Sequence, residues 1–351
     1  MADVATEIRG RLGLITLNRP EALNALTHGM VGTLQALLDD WAADDRIGLV
    51  AIRGAGERAF CAGGDIRWLY ETGRPGGEQG RATFGFYADE YRLNTRIKRY
   101  PKPYVALIDG IVMGGGVGVS IHAARRIAGD RTRFAMPETG IGLFPDVGGT
   151  WFLPRMPGET GMWIGLTGAR LGPVDAVRAG VADHYLPSDR FDALIGALAA
   201  LDPADPQALD RAIAAHAREP EGPSILAEHG ARIDRLFAGD SVEAILAALA
   251  ADGHDWSAAQ RAAILARSPG STRLAFRQIR EGRTLDFEAC MTLEYRLARF
   301  CMTRPDFYEG VRTTIIDKGE RPAWSPATLA EADEAYVAPA FAPLGAEELT
   351  L

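Results

Sequence analysis

Apolar residues in the first half of the chain fall into short runs separated by polar, glycine-bearing or proline-bearing breaks. Gly13-Leu-Ile-Thr-Leu17 reads as a buried strand ended by the turn signal Asn18-Arg19-Pro20. From Thr27, an N-cap type, Met30, Leu34, Leu37, Leu38 and Trp41 recur at three- and four-residue spacing, which predicts a helix with one buried face. Leu49 to Ile52 returns to strand character, residues 83–99 read as helix, and Tyr104-Val-Ala-Leu-Ile108 is continuously apolar, as in a sheet covered on both faces. A further helix is expected from Gly116 to Arg125. Strands alternating with helices predict an α/β core over residues 1–200. Beyond Leu201-Asp202-Pro203 the pairs Leu209/Ile213, Ile233/Leu236, Ile245/Leu249 and Leu293/Leu297 keep the amphipathic repeat, so 201–318 is expected to be a mainly helical region. Residues 319–351 carry Pro322, Pro326, Pro339 and Pro343 with weak periodicity and are expected to form a partly extended tail.

Composition narrows the class. The 351 residues are 47% apolar and 24% charged, which removes disordered, collagen-like and coiled-coil readings. The net charge of −8 argues against nucleic-acid or anionic-membrane partners, which need clustered Lys and Arg, although it leaves room for a small anionic ligand held by local groups. The most apolar stretch, Val105 to Ile121, is interrupted by Asp109 and glycines, so no membrane span is expected there. Cys61, Cys290 and Cys301 are too few and too scattered for a disulfide framework. No C-x-x-C or Cys/His pair has metal-ligand spacing, so no metal site is expected. The N-terminus lacks the marks of a secretory or transit peptide. Together these features lead to the expectation of a reducing, cytoplasmic location.

Three segments could carry chemistry. Met113-Gly-Gly-Gly-Val-Gly118 follows a buried strand but fails the dinucleotide and P-loop patterns; its glycines serve either close packing or a site where backbone N–H groups meet an anion. Ala62-Gly-Gly-Asp-Ile66 is a second glycine loop, in which Asp65 could simply be an N-cap. Two N–H donors from different loops are what acyl chemistry requires at a carbonyl oxygen. Glu138 and Asp146, eight residues apart in an apolar, glycine-rich segment, are either loop caps or desolvated carboxyls suited to proton transfer or nucleophilic attack. His122, on an apolar stretch, reads as a core histidine.

These segments, in this order, resemble the crotonase (enoyl-CoA hydratase/isomerase) superfamily: Asn18-Arg-Pro-Glu-Ala-Leu-Asn-Ala-Leu26, Ala62-Gly-Gly-Asp-Ile66, Gly110 to Gly118 and Pro137 to Gly149. Met291-Thr-Leu-Glu-Tyr-Arg-Leu297 and Phe307-Tyr-Glu-Gly-Val-Arg312 are similar to its 3-hydroxyisobutyryl-CoA hydrolase branch. The resemblance implies a fold of stacked β-β-α units and an acyl-CoA substrate, with coenzyme A part of the substrate and no separate cofactor. It implies an oxyanion hole from the N–H groups of Gly64 and Gly115, with Ala22, Leu23, Ala62, Asp65 and Ile66 contributing to substrate binding. A hydratase of this superfamily carries a second catalytic glutamate where this chain has Gly118. The hydrolase pattern instead pairs Glu138 with Asp146 and adds Glu90. The implied activity is hydrolysis of an acyl-CoA thioester in valine catabolism, with a hydratase/isomerase or a non-catalytic acyl-CoA binder as alternatives. A homo-oligomer is compatible with the superfamily.

Overall fold

The computed structural model describes residues 2–74, 81–202, 205 and 207–351; Pro203, in the expected boundary signal, lies outside them. Among the described residues nine strands are formed: β1 (Val4–Arg9), β2 (Leu12–Leu17), β3 (Leu49–Gly54), β4 (Ala59–Cys61), β5 (Tyr104–Ile108), β6 (Ile111–Met113), β7 (Arg125–Ala128), β8 (Arg133–Ala135) and β9 (His184–Tyr185). The larger sheet runs β1-β2-β3-β5-β7-β9, antiparallel only between β1 and β2, and the smaller runs β4-β6-β8. Chain order explains the pattern. Each of the pairs β3/β4, β5/β6 and β7/β8 gives its first strand to the larger sheet and its second to the smaller, and then passes into helix. These are β-β-α units laid side by side, and their parallel register follows from repeating one unit in one direction.

The continuous apolar character of β5 is explained by two-sided burial. Val105 and Leu107 join Leu12, Leu14, Ala51 and Ile127 in a cluster closed by Leu194, Ile195 and Leu198 of the helix Phe191–Ala199 and by Ile213 of Ala208–His216. Tyr104, Ala106 and Ile108, on alternate positions, are buried as well. The predicted helix after Thr27 forms as His28–Ala43, its Thr27 Oγ1 accepting from the Met30 N–H at 3.1 Å.

Two compact units partition the chain, and they interleave. One comprises Met1–Gly64, Arg92–Phe134 and Leu171–Glu228; the other comprises Asp65–Tyr91, Ala135–Arg170 and His229–Leu351. The linear division at residue 200 therefore does not describe the contacts. Ala208–His216 completes the core of the first unit, because Ile213 is fully buried in its hydrophobic cluster. The second unit is mainly helical. Its helix Pro269–Glu281 packs on Thr160–Thr167 and on Glu334–Phe341. The last of these helices stands inside the segment expected to be extended, with Asp333 capping it through the Tyr336 N–H.

The helix expected from Gly116 to Arg125 is only Gly115–Gly118. Ser120 Oγ bonds back to the carbonyls of Gly116 and Val117, an alternative to continued helix, and Arg125 already pairs in β7. No helix among the described residues is long and apolar enough to cross a membrane.

Candidate active site

In the first unit, Asn24 organises the glycine loops. It is fully buried; its Oδ1 accepts from the Arg19 N–H at 2.9 Å, and its amide donates to the carbonyls of Ala55 at 3.0 Å and Ala59 at 2.9 Å. These bonds hold Leu23 and Asn24 in left-handed conformations, with φ of 53° and 56°. The turn thereby presents Leu23 O to the Ala62 N–H at 3.0 Å, and the Leu26 N–H reaches Gly63 O at 2.8 Å. Ala22, Leu23, Ala62 and Gly64 are in this way gathered by one backbone ladder.

The second glycine loop meets the first. A Cβ on Gly63, whose φ is +121°, would lie 3.9 Å from Gly115 N, and a Cβ on Gly116 would lie 2.2 Å from Cys61 O. Only a residue without a side chain permits that approach. The N–H groups of Gly64 and Gly115 donate to no protein acceptor among the described residues. Two backbone donors of adjoining loops are left for a ligand oxygen.

In the second unit, the candidate residues fall into three places. Asp65 caps the helix Ile66–Gly73, accepting from the Trp68 N–H at 3.2 Å, and Ile66 begins that helix. Glu138, buried, opens the 3-10 turn Glu138–Ile141. That turn is fixed by the Ser268 N–H on Thr139 O at 3.1 Å, and the Arg267 guanidinium lies within electrostatic range of the Glu138 carboxyl. Glu90 and Asp146 meet in a buried acidic cluster, where the Tyr91 hydroxyl donates to Asp146 Oδ2 at 3.1 Å. Glu90 Oε1 and the Tyr87 hydroxyl are buried without a hydrogen-bond partner among the described residues. Orphaned polar atoms of this kind mark a place for polar groups of a ligand.

Burial governs the protonation of the cluster. It pushes Asp146 up to about 7, against the Tyr91 hydrogen bond and a backbone N–H that favour the charged form. Glu90 rises well above the carboxylate range through burial and then through the charges of Asp146 and Glu294. Burial likewise raises Tyr87 and Tyr91, with Asp146 adding to it.

Glu294 was not singled out in the sequence. It sits on the helix Phe287–Met302, fully buried, and burial raises it to about 8. Its signal was present: Cys290, Leu293, Leu297 and Cys301 define the buried face of that helix, and Glu294 lies on that same face. A carboxylate at a core position of an amphipathic helix requires a partner.

A family model described as enoyl-CoA hydratase/isomerase matches residues 12–341. The chain belongs to this family, and its stacked β-β-α units are the crotonase fold. Among curated relatives, the "3-hydroxyisobutyryl-CoA hydrolase, mitochondrial" of Danio rerio is 45% identical over 100% of this chain and 92% of its own length. The protein of that name from Homo sapiens is 42% identical over 99% and 90%. Among solved structures, a carnitinyl-CoA dehydratase from Mycobacterium thermoresistibile superposes with a TM-score of 0.92 at 44% identity, covering 100% of this chain and 99% of that one. An enoyl-CoA hydratase from Rhodobacter sphaeroides gives 0.90 at 40% identity, covering 100% of both. The cytoplasmic expectation is overturned by the curated relatives, which are named mitochondrial. Three buried, unbridged cysteines suit any reducing compartment, so composition had no power to separate the two locations.

Proposed function

We propose that this chain hydrolyses 3-hydroxyisobutyryl-CoA to 3-hydroxyisobutyrate and CoA, a step of valine catabolism. The observation that carries the reading is the buried cluster of Glu90, Asp146 and Tyr91, with Tyr87 beside it. It offers both proton donors and acceptors to a substrate hydroxyl, and it holds a carboxyl whose proton is exchangeable near neutral pH.

In this reading, the N–H groups of Gly64 and Gly115 receive the thioester oxygen as negative charge develops on it. Each donor contributes about 3–4 kcal/mol to lowering the barrier. Glu138 either attacks the carbonyl carbon, expelling CoA thiolate and leaving a mixed anhydride for water to cleave, or removes a proton from the water that attacks. Asp146 orients the β-hydroxyl or carries protons, and Glu90 assists. Ala22, Leu23, Ala62, Asp65 and Ile66 contribute to holding the CoA portion.

A panel of CoA esters assayed in parallel for thiol release and for double-bond hydration tests the activity. Thiol release from 3-hydroxyisobutyryl-CoA supports it; hydration of crotonyl-CoA without thiol release would replace it by a hydratase, the activity named for one of the solved relatives. Gly118 weighs against that second reading, since a glycine supplies no acid or base where a hydratase carries its second glutamate. Single turnover in oxygen-18 water separates the two routes, because the label enters Glu138 only through the anhydride.

A further inference from the structure

Asp146 is bracketed on both sides. On one side the Gln278 amide donates to Pro145 O at 2.6 Å. On the other, Glu294 Oε2 accepts from the Gly148 N–H at 2.7 Å and Oε1 from the Thr150 N–H at 2.8 Å. Between these anchors Val147, fully buried and β-branched, has a φ of +52°, and Gly148 a φ of +95°. A β-branched residue holds a left-handed conformation only where its surroundings over-determine it. Two hydrogen bonds accepted by one fully buried carboxyl supply that constraint. Gly148 and Thr150 also start the short helix Gly149–Phe152, so Glu294 caps it from a distant helix, in the way an N-cap side chain would from the adjoining residue.

We propose that Glu294 is a positioning residue for Asp146, clamping the Val147–Thr150 turn so that the Asp146 carboxyl is aimed at its reactive geometry. The inference rests on the assignment of Asp146 to the chemistry. Glu294 exchanges no atoms with the substrate; it acts through the turn. The titratable groups around the pair are Glu90, Tyr87 and Tyr91 of the helix Arg81–Lys98, and Cys290 and Cys301 of Glu294's own helix. Cys290 in turn feels Arg155, Asp286 and Glu288. Loosening the turn weakens the Tyr91 hydrogen bond that favours ionised Asp146, and so raises the proton affinity of Asp146.

The test is a double-mutant cycle with E294Q and D146N, assayed by thiol release across pH. Glu294→Gln keeps the volume but can accept only one of the two bonds. It is expected to lower kcat by about 10²-fold, with KM much less affected, as for a misplaced catalytic group. The pH limb of Asp146 is expected to move to higher pH. In the D146N background, E294Q is expected to add nothing further to the loss of kcat. Additive losses, or an E294Q enzyme with wild-type kcat and pH profile, would overturn the proposal. A D146N enzyme with wild-type kcat sinks the assignment of Asp146 itself, which is a different result. Should E294Q fail to fold, E294D, which keeps the carboxyl but is too short to bridge both N–H groups, enters the same cycle with the same criteria.

Discussion

The candidate groups of the two units are of unlike kinds. The first offers backbone N–H groups of Gly64 and Gly115, which carry no titratable proton and whose placement depends on side chains being absent. The second offers Glu90, Glu138, Asp146 and Glu294, whose value depends on burial and on where their protons are. Backbone donors keep one electrostatic character at every pH, whereas a buried acidic cluster changes character within the physiological range. Perturbation of the first unit should therefore change rates without changing pH profiles, and perturbation of the second should change both.

The largest effect is expected from Glu138→Ala, which should lower CoA release by at least about 10³-fold whichever route operates. Retained turnover in the thiol assay would remove Glu138 from the chemistry. Next is Gly116→Ala. Its Cβ meets Cys61 O at 2.2 Å and Cys61 Cβ at 2.8 Å, so the turn carrying the Gly115 N–H must shift. A fall in kcat of about 10²-fold is expected, with the shape of the pH profile unchanged. A moved pH limb in that variant would blur the contrast between the units. Tyr91→Phe is smaller. It deletes a hydrogen bond that favours ionised Asp146, so the limb near pH 7 should move upward while kcat changes by only about a few-fold.

Stability responds to two of the same carboxyls. Asp146 and Glu294 hold their protons more tightly folded than unfolded, rising from 3.8 to about 7 and from 4.5 to about 8. Between those limits the folded chain binds more protons, so stability falls as pH rises, by at most about 1.4 kcal/mol per pH unit for each group. Asp44 and Asp252, held near 2 by arginines and hydrogen bonds, act in the opposite direction and only at more acidic pH. Tm should therefore decline from about pH 5 to about pH 8, and D146N should flatten the slope. An unchanged slope would mean that Asp146 is ionised in the folded protein throughout.

Legibility in the sequence followed the range of the forces. The strand Tyr104–Ile108 and the helix beginning after Thr27 could be read, because continuous apolar character and a capped amphipathic period are local signals. The strand Val4–Arg9 could not: it is an edge strand whose middle residues are exposed, so it shows no apolar run. The helix Glu334–Phe341 was hidden by Pro339 within it. The candidate carboxyls at 138 and 146 were visible as charges in apolar surroundings. Their partners were not: Tyr91 precedes Asp146 by 55 residues and Glu294 lies 146 residues from Gly148. The interleaving of the units has the same origin, since which helix completes which core is decided by packing between distant segments.

All three cysteines are buried and unbridged, and burial raises the Cys290 thiol to about 12 and Cys301 beyond the ordinary thiol range. A thiol-reactive dye added to the assay should thus see the released CoA while the folded protein contributes almost no background. The same reagent in the absence of substrate becomes a clock for opening. Cys61 lies beneath the glycine turns and Cys301 on the helix that carries Glu294, so their labelling rates report how often each region comes apart.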